Sequence, residues 1–192
     1  MGYSLSWLAV KGKTRDAVLG ALELRATGGR QDRPESPLAG AILPGGWYLV
    51  VAGRTGHRLI REGVMAQLSA DSEAVTLDVE EHVMVSEASG WKSGRKMWTV
   101  LHDAQRNTEH LKTEGQLPSV FLAIREKLVS KQQEAGLDAD VDYIFDCPVE
   151  LAKALTGYRH DEVNTEFGEK PFEALESKAR NPRSWIQRLF GR

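Results

Sequence analysis

The run Val79-Glu-Glu-His-Val-Met-Val-Ser-Glu-Ala-Ser-Gly-Trp-Lys-Ser-Gly-Arg-Lys-Met-Trp-Thr-Val-Leu-His-Asp103 decides how this chain folds. Two strand-like runs flank a Lys92-Ser93-Gly94 turn, and a third short run follows through Leu111 to Gly115. Centring the turn on Ser93 sets Met84 opposite His102 and Ala88 opposite Trp98. It also puts His82 diagonal to His102, about 7–8 Å away on one face. On that register Val83, Val85, Met97 and Leu101 form an aliphatic core face, and His82, Met84, Trp98 and His102 share the other. Side chains alternate along a strand with a period of two, so a slip of one residue would exchange the faces.

Upstream of this meander, Tyr3 to Val10 is aromatic and β-branched and reads as a strand buried on both faces. Thr14 is placed to cap a helix from Arg15 to about Leu24, with Ala17, Val18, Ala21 and Leu22 as its inward stripe. Gly28 to Pro37 reads as a polar loop. Leu38–Leu43 and Trp47–Val51 form a hairpin around Pro44-Gly45-Gly46, where Pro presets φ and Gly accepts positive φ. A short helix follows over Leu59–Leu68, and Val75 to Val85 leads into the meander.

Downstream, Pro118 opens a helix with Val120, Phe121, Ile124 and Leu128 inward and Gly136 as its stop. Pro148 opens another, with Val149, Leu151, Ala152 and Leu155 inward and Gly157 as its stop. The expected order is β-α-β-β-α-β-β-β-α-α. It describes an α+β fold with a mainly antiparallel sheet of about six strands and helices packed on it. Residues 1–162 are expected to form this single domain. Residues 163–192 are expected to form a charged linker and a basic amphipathic tail.

At 192 residues, 41% hydrophobic and 27% charged, the chain has enough length to bury roughly 70% of its unfolded surface. Its core therefore needs no metal or disulfide. The single cysteine, Cys147, excludes an internal disulfide and fits a reducing compartment. The N-terminus reads as a strand rather than a signal peptide, and no apolar run approaches the ~20 residues that span a bilayer. A cytoplasmic location is expected. Net charge is −2, but residues 178–192 hold five cations and no acid, leaving the rest acidic. That balance argues against a nucleic-acid-binding core, where phosphate affinity requires clustered Lys and Arg.

Candidate chemistry is sparse. No Gly-x-Gly-x-x-Gly or Gly-x-x-x-x-Gly-Lys-Ser/Thr loop is present, and no cofactor is implied. On the expected register His82 and His102 share a face, with Glu80 two residues away on His82's side, a set that would suit a hydrolase or metal-dependent enzyme if the side chains converge. Without a His-Glu-x-x-His or Cys-x-x-Cys spacing, the plainer reading makes them polar residues on a solvent face, with no metal site. Cys147, at a helix start, is a candidate nucleophile whose pKa the helix dipole would lower, against the commoner outcome of an inert buried thiol. Tyr158-Arg-His-Asp161 follows the last helix and would line a pocket with His160 as general base. The same residues also suit a loop in which Arg159 and His160 complement the helix dipole.

Trp91, Arg95 and Trp98 gather at one hairpin end and have the residue types of interface hot spots. Trp185 and Phe190, in the basic stretch Asn181 to Arg192, would dock on a partner, on the acidic body or on a second copy, with weak contact to anionic lipid as the alternative. The sequence as a whole favours a non-enzymatic protein-binding module. Its partner would be another chain or itself as a homodimer, in the manner of small acidic immunity or inhibitor proteins. The alternative is the His/acid enzyme.

Overall fold

The computed structural model describes residues 2–136, 141–163 and 165–178. Among these described residues nine strands form one sheet: β1 (Ser4–Lys11), β2 (Leu24–Gln31), β3 (Leu38–Leu43), β4 (Trp47–Ala52), β5 (Glu73–Glu80), β6 (Val85–Lys92), β7 (Arg95–Asp103), β8 (Lys112–Gly115) and β9 (Phe172–Ser177). Their order across the sheet is β2-β9-β3-β4-β1-β5-β6-β7-β8. Every neighbouring pair is antiparallel. Among the described residues four α-helices accompany the sheet: α1 (Arg15–Ala21), α2 (Glu62–Leu68), α3 (Val120–Ala135) and α4 (Asp146–Thr156).

The helices cover both faces. Val18 and Leu19 of α1 and Met65 and Leu68 of α2 pack with Leu8, Val10, Val50 and Trp91 on one side. Phe121 and Leu128 of α3, with Val149, Leu151 and Ala152 of α4, pack with Trp7, Leu77, Val100 and Trp98 on the other. The central strand β1 is therefore apolar at consecutive positions, as a strand buried on both faces must be. Full burial of each such large side chain contributes about 1.5–3 kcal/mol.

Several expected features are present. The Thr14 side chain caps α1 by accepting the Ala17 N–H at 3.2 Å. The β3–β4 hairpin turns at Pro44-Gly45-Gly46. Gly136 and Gly157 close α3 and α4. The α+β class and the antiparallel sheet are also as expected, but the sheet has nine strands rather than about six, and the element order differs.

Three physical causes account for the added strands. The run expected to pass from Val75 into the hairpin is broken into β5 and β6 by a turn at 81–84, which has neither Gly nor Pro to mark it. Gly28 and Gly29 lie within β2, an edge strand whose register shifts between Ala26 and Arg30, so they signal an irregular strand rather than a loop. β9 comes from the charged stretch after residue 162, yet it sits inside the sheet between β2 and β3. Its Phe172 packs on one face and its Leu175 on the other, and the intervening Glu173 is also buried.

The meander's buried face is the reverse of the expected one. β6 and β7 pair Ser86 with His102, Ala88 with Val100 and Gly90 with Trp98, two residues away from the expected register. These residues form the core face beneath α4, whose lead-in is tied down by Ser86 Oγ donating to the Phe145 carbonyl at 2.7 Å. The small residues of β6 let that segment approach. Met97, at the register shift beside Gly90 and Trp91, is 37% exposed, and Val83 lies in the turn. Among the described residues no helix is long and apolar enough to cross a membrane.

Candidate functional site

Gly157 ends α4 in a left-handed conformation, its N–H bonding the Lys153 carbonyl at 2.7 Å. The chain then turns back onto the sheet and carries Tyr158 and His160 into the interior. There they line a cavity of about 460 Å³ with Leu5 of β1, Val51 of β4 and Phe172 of β9. Tyr3, Arg33, Asp161 and Val163 contribute to its walls and rim. The volume falls within the ~300–1,000 Å³ of small-molecule sites, and the mixture of an apolar lining with a few polar groups is typical of them.

Two buried polar atoms at this site have no hydrogen-bond partner among the described residues: the Tyr158 hydroxyl and His160 Nδ1. Tyr158 is only 1% exposed. Its ring meets Trp7 edge-on at 5.6 Å and Phe172 at 6.2 Å. Burial raises its hydroxyl well above the ordinary tyrosine value. The His160 ring stands edge-on to Tyr3 at 5.1 Å, with Nε2 in a long contact of 3.5 Å to Glu81 Oε1. The other Glu81 oxygen accepts the Tyr3 N–H at 2.8 Å. Burial pushes the His160 imidazole below its ordinary value, although Asp161 and Glu81 offset part of the effect. Leaving a buried donor or acceptor unpaired costs about 1–3 kcal/mol, so such groups call for an explanation.

Arg159 does not join them. It bonds Asp161 at 2.7 Å and Asp146 at 3.0 Å, and also bonds Glu150, tying the segment after α4 back onto that helix. Burial opposes ionisation of Asp161, but Arg159 outweighs it and holds the carboxyl below its usual range.

The other candidates occupy separate places. His82 is exposed in the 81–84 turn, with Nδ1 2.7 Å from Glu80. Glu80 also accepts from Ser4 Oγ at 2.6 Å. His102 is 0% exposed. Its Nδ1 lies 2.7 Å from the His110 carbonyl, and its Nε2 is 2.8 Å from Asp142 Oδ2 but off the line of a hydrogen bond. Asp142 Oδ1 in turn accepts the N–H groups of Ile144 and Phe145. His102 thus fastens β7 to the 107–111 loop and to the entry of α4, and it does not converge with His82 and Glu80. Among the described residues no group of three or more His, Cys, Asp or Glu side chains is placed to hold a metal.

Cys147 is wholly buried, and burial pushes its thiol up to about 12, the reverse of activation. Trp91 and Trp98 are both buried and pack in the cores on opposite faces of the sheet, although both contribute to the wall of one groove at the β6–β7 hairpin end, with Met97 and Pro118. Arg95 alone of that trio is exposed. Trp185 and Phe190 lie outside the described residues.

The sequence placed Tyr158, His160 and Asp161 together, but missed Tyr3, Glu81, Arg33 and Phe172. Those partners come from distant parts of the chain, and only strand pairing brings them to one end of the sheet. Neither the protein-family models, the curated proteins nor the solved structures contain a match to this chain.

Proposed function

We propose that this chain is a non-enzymatic binding protein that holds a small molecule in the Tyr158–His160 cavity. The observation that carries this reading is the cavity itself, about 460 Å³, with apolar walls from Leu5, Val51 and Phe172 and polar groups from Arg33, His160 and Asp161 beside them. No Ser, Thr or Cys lines the cavity among the described residues, so the aliphatic hydroxyl or thiol that a histidine base activates in acyl transfer is not beside His160. A protein partner, the reading favoured by the sequence, rests on Trp91, Arg95, Trp98, Trp185 and Phe190; of these Trp91 and Trp98 are buried, Arg95 is exposed, and Trp185 and Phe190 lie outside the described residues.

The test is ligand-observed NMR of the intact protein against a fragment collection, repeated on Val163→Trp. Val163 is a rim residue, 65% exposed, so a larger side chain there obstructs the mouth without disturbing the core. Fragments that bind the parent and are lost from the variant support the site. Fragments that bind both equally, or no binding at all, overturn it.

A further inference from the structure

The segment between β4 and α2 gathers charge of one sign. Arg54, Arg58 and Arg61 all lie exposed within it. The loop is pinned to the sheet beneath, where the His57 N–H bonds Ser6 Oγ at 3.1 Å and Asp78 accepts the Gly56 N–H at 2.9 Å. The ion pairs of the described residues take up Arg15, Arg25, Arg106 and Arg159, but none of these three arginines. All three add to the depression of the His57 imidazole that its burial begins, so their charges converge on one place. Arg58 also donates to Ser177 Oγ at 3.0 Å, which brings the exposed Lys178, next in the chain, to the same end of the sheet. Asp78 is turned inward toward Ser6 and Gly56, so the exposed acids on the neighbouring segments are Glu23 and Glu62. Cations are therefore in excess here, on a chain whose net charge is −2. None of the four basic residues lines the Tyr158–His160 cavity.

From this face the chain continues into residues 179–192, which carry four more arginines, no acid, and Trp185, Ile186, Leu189 and Phe190 at helical spacing. We propose that the Arg54–Arg58–Arg61 face and the residues after Lys178 together bind an anionic lipid surface, the arginines on the headgroups and the apolar quartet at the acyl boundary. Like charge around Lys178 opposes folding of the basic segment back onto this face, which favours an external anion over a self-contact there. The quartet separates lipid from nucleic acid. A phosphate backbone engages the cations and bases stack on the rings, but Ile186 and Leu189 offer a base no stacking face, whereas an acyl boundary buries them. Attraction to acidic headgroups falls off within a Debye length, about 8 Å at physiological salt, so the binding is salt-sensitive.

Flotation of the full chain with vesicles tests this, comparing phosphatidylcholine alone with phosphatidylcholine and phosphatidylserine at roughly seven to three, each in low and in high salt. The expected result is at least tenfold stronger binding to the acidic vesicles, lost in high salt. Arg54→Gln, Arg58→Gln and Arg61→Gln together should weaken it at least fivefold with an unchanged thermal melt, since all three residues are exposed. The control triple, Arg95→Gln, Arg125→Gln and Lys127→Gln, removes the same charge from exposed positions elsewhere and should bind like the parent. Trp185→Ser with Phe190→Ser should also weaken binding at least fivefold. Equal losses in the two triple variants, or no loss in the first, would overturn the assignment of this face. No loss in the Trp185, Phe190 variant would overturn the acyl contact. Tighter binding to a single-stranded RNA oligonucleotide than to the acidic vesicles, lost in the first triple, would overturn lipid in favour of nucleic acid. Equal binding to both vesicles, or binding to neither, would sink the proposal.

Discussion

The Tyr48 hydroxyl donates to Glu173 Oε1 at 2.8 Å, joining β4 to β9 over the strand that lies between them. Arg15 of α1 reaches the same carboxylate, with Nε 2.6 Å from Oε1. Burial raises the Glu173 carboxyl, but these hydrogen bonds overrule it and hold the group below its usual range. Gly40 of β3 makes the reach possible, because a Cβ there would lie 2.3 Å from the Tyr48 hydroxyl. Gly40→Ala should therefore displace Tyr48 and destabilise the protein by about 2 kcal/mol, the scale of overpacking in a closed interior. Urea unfolding of the variant beside the parent measures this, and an unchanged midpoint would contradict the contact.

Because β9 bridges β2 and β3, the strand is part of the folding unit. A chain ending at Pro171 loses the partner of β2 and uncovers Leu24, Leu38 and Tyr48. It should lose cooperative thermal unfolding, as read by circular dichroism. Native-like cooperativity in the truncated chain would mean that the sheet folds without β9.

Gly90 and Trp98 stand opposite each other on the core face, and a Cβ on Gly90 would meet Trp98 Nε1 at 2.1 Å. The indole has Val100, Ala88 and the helices around it, so it has little room to retreat. Gly90→Ala should cost about 2–3 kcal/mol by overpacking and alter tryptophan fluorescence. Adding Trp98→Leu should recover part of that loss, since the clash is with the ring. No recovery in the double variant would mean that the strand backbone, not the indole, is the constraint.

What could be read from residues alone follows from these same contacts. Local signals held where the cause is local: the Thr14 cap, the Pro44-Gly45-Gly46 turn and the glycine stops of α3 and α4. Period-two reasoning failed in the meander because its buried face uses Ser86, Ala88 and Gly90, small residues that only the overlying α4 segment makes into a core. β9 escaped because Glu173 looks like surface until Arg15 and Tyr48 arrive from more than a hundred residues away. The candidate site was half legible for the same reason. Tyr158 and His160 are neighbours in sequence, whereas Glu81 and Tyr3 reach them through the pairing of β1 with β5.

Cys147 should behave as an inert thiol. With burial holding its pKa at about 12, the thiolate population at neutral pH is negligible and the sulfur is closed to solvent. Iodoacetamide labelling followed by mass spectrometry should show no modification of the native protein on a timescale of minutes, and full modification in denaturant. Rapid native labelling would revive Cys147 as a nucleophile.

Stability should fall as pH drops below about 6.5, and two histidines account for the onset. His160 is shifted below its ordinary value by burial, against the pull of Asp161 and Glu81. His57 is lowered by burial and by Arg54, Arg58 and Arg61, and its Nδ1 accepts the Leu59 N–H. A histidine with a depressed folded pKa binds its proton first in the unfolded chain. Stability is therefore fully present above the ordinary value of 6.5 and is lost as pH falls from there toward the folded value. Each group contributes a slope of up to about 1.4 kcal/mol per pH unit in that window. Asp142, Asp161 and Glu173, all held low, add their loss only at more acidic pH, where Glu87 and Asp146, both raised by burial, oppose it. Urea titrations from pH 7.5 to 5.5 should show the decline in the parent and a flatter profile in the His57→Gln, His160→Gln double variant. A parent profile that is flat across this range would remove the case for His160 as a buried, neutral imidazole.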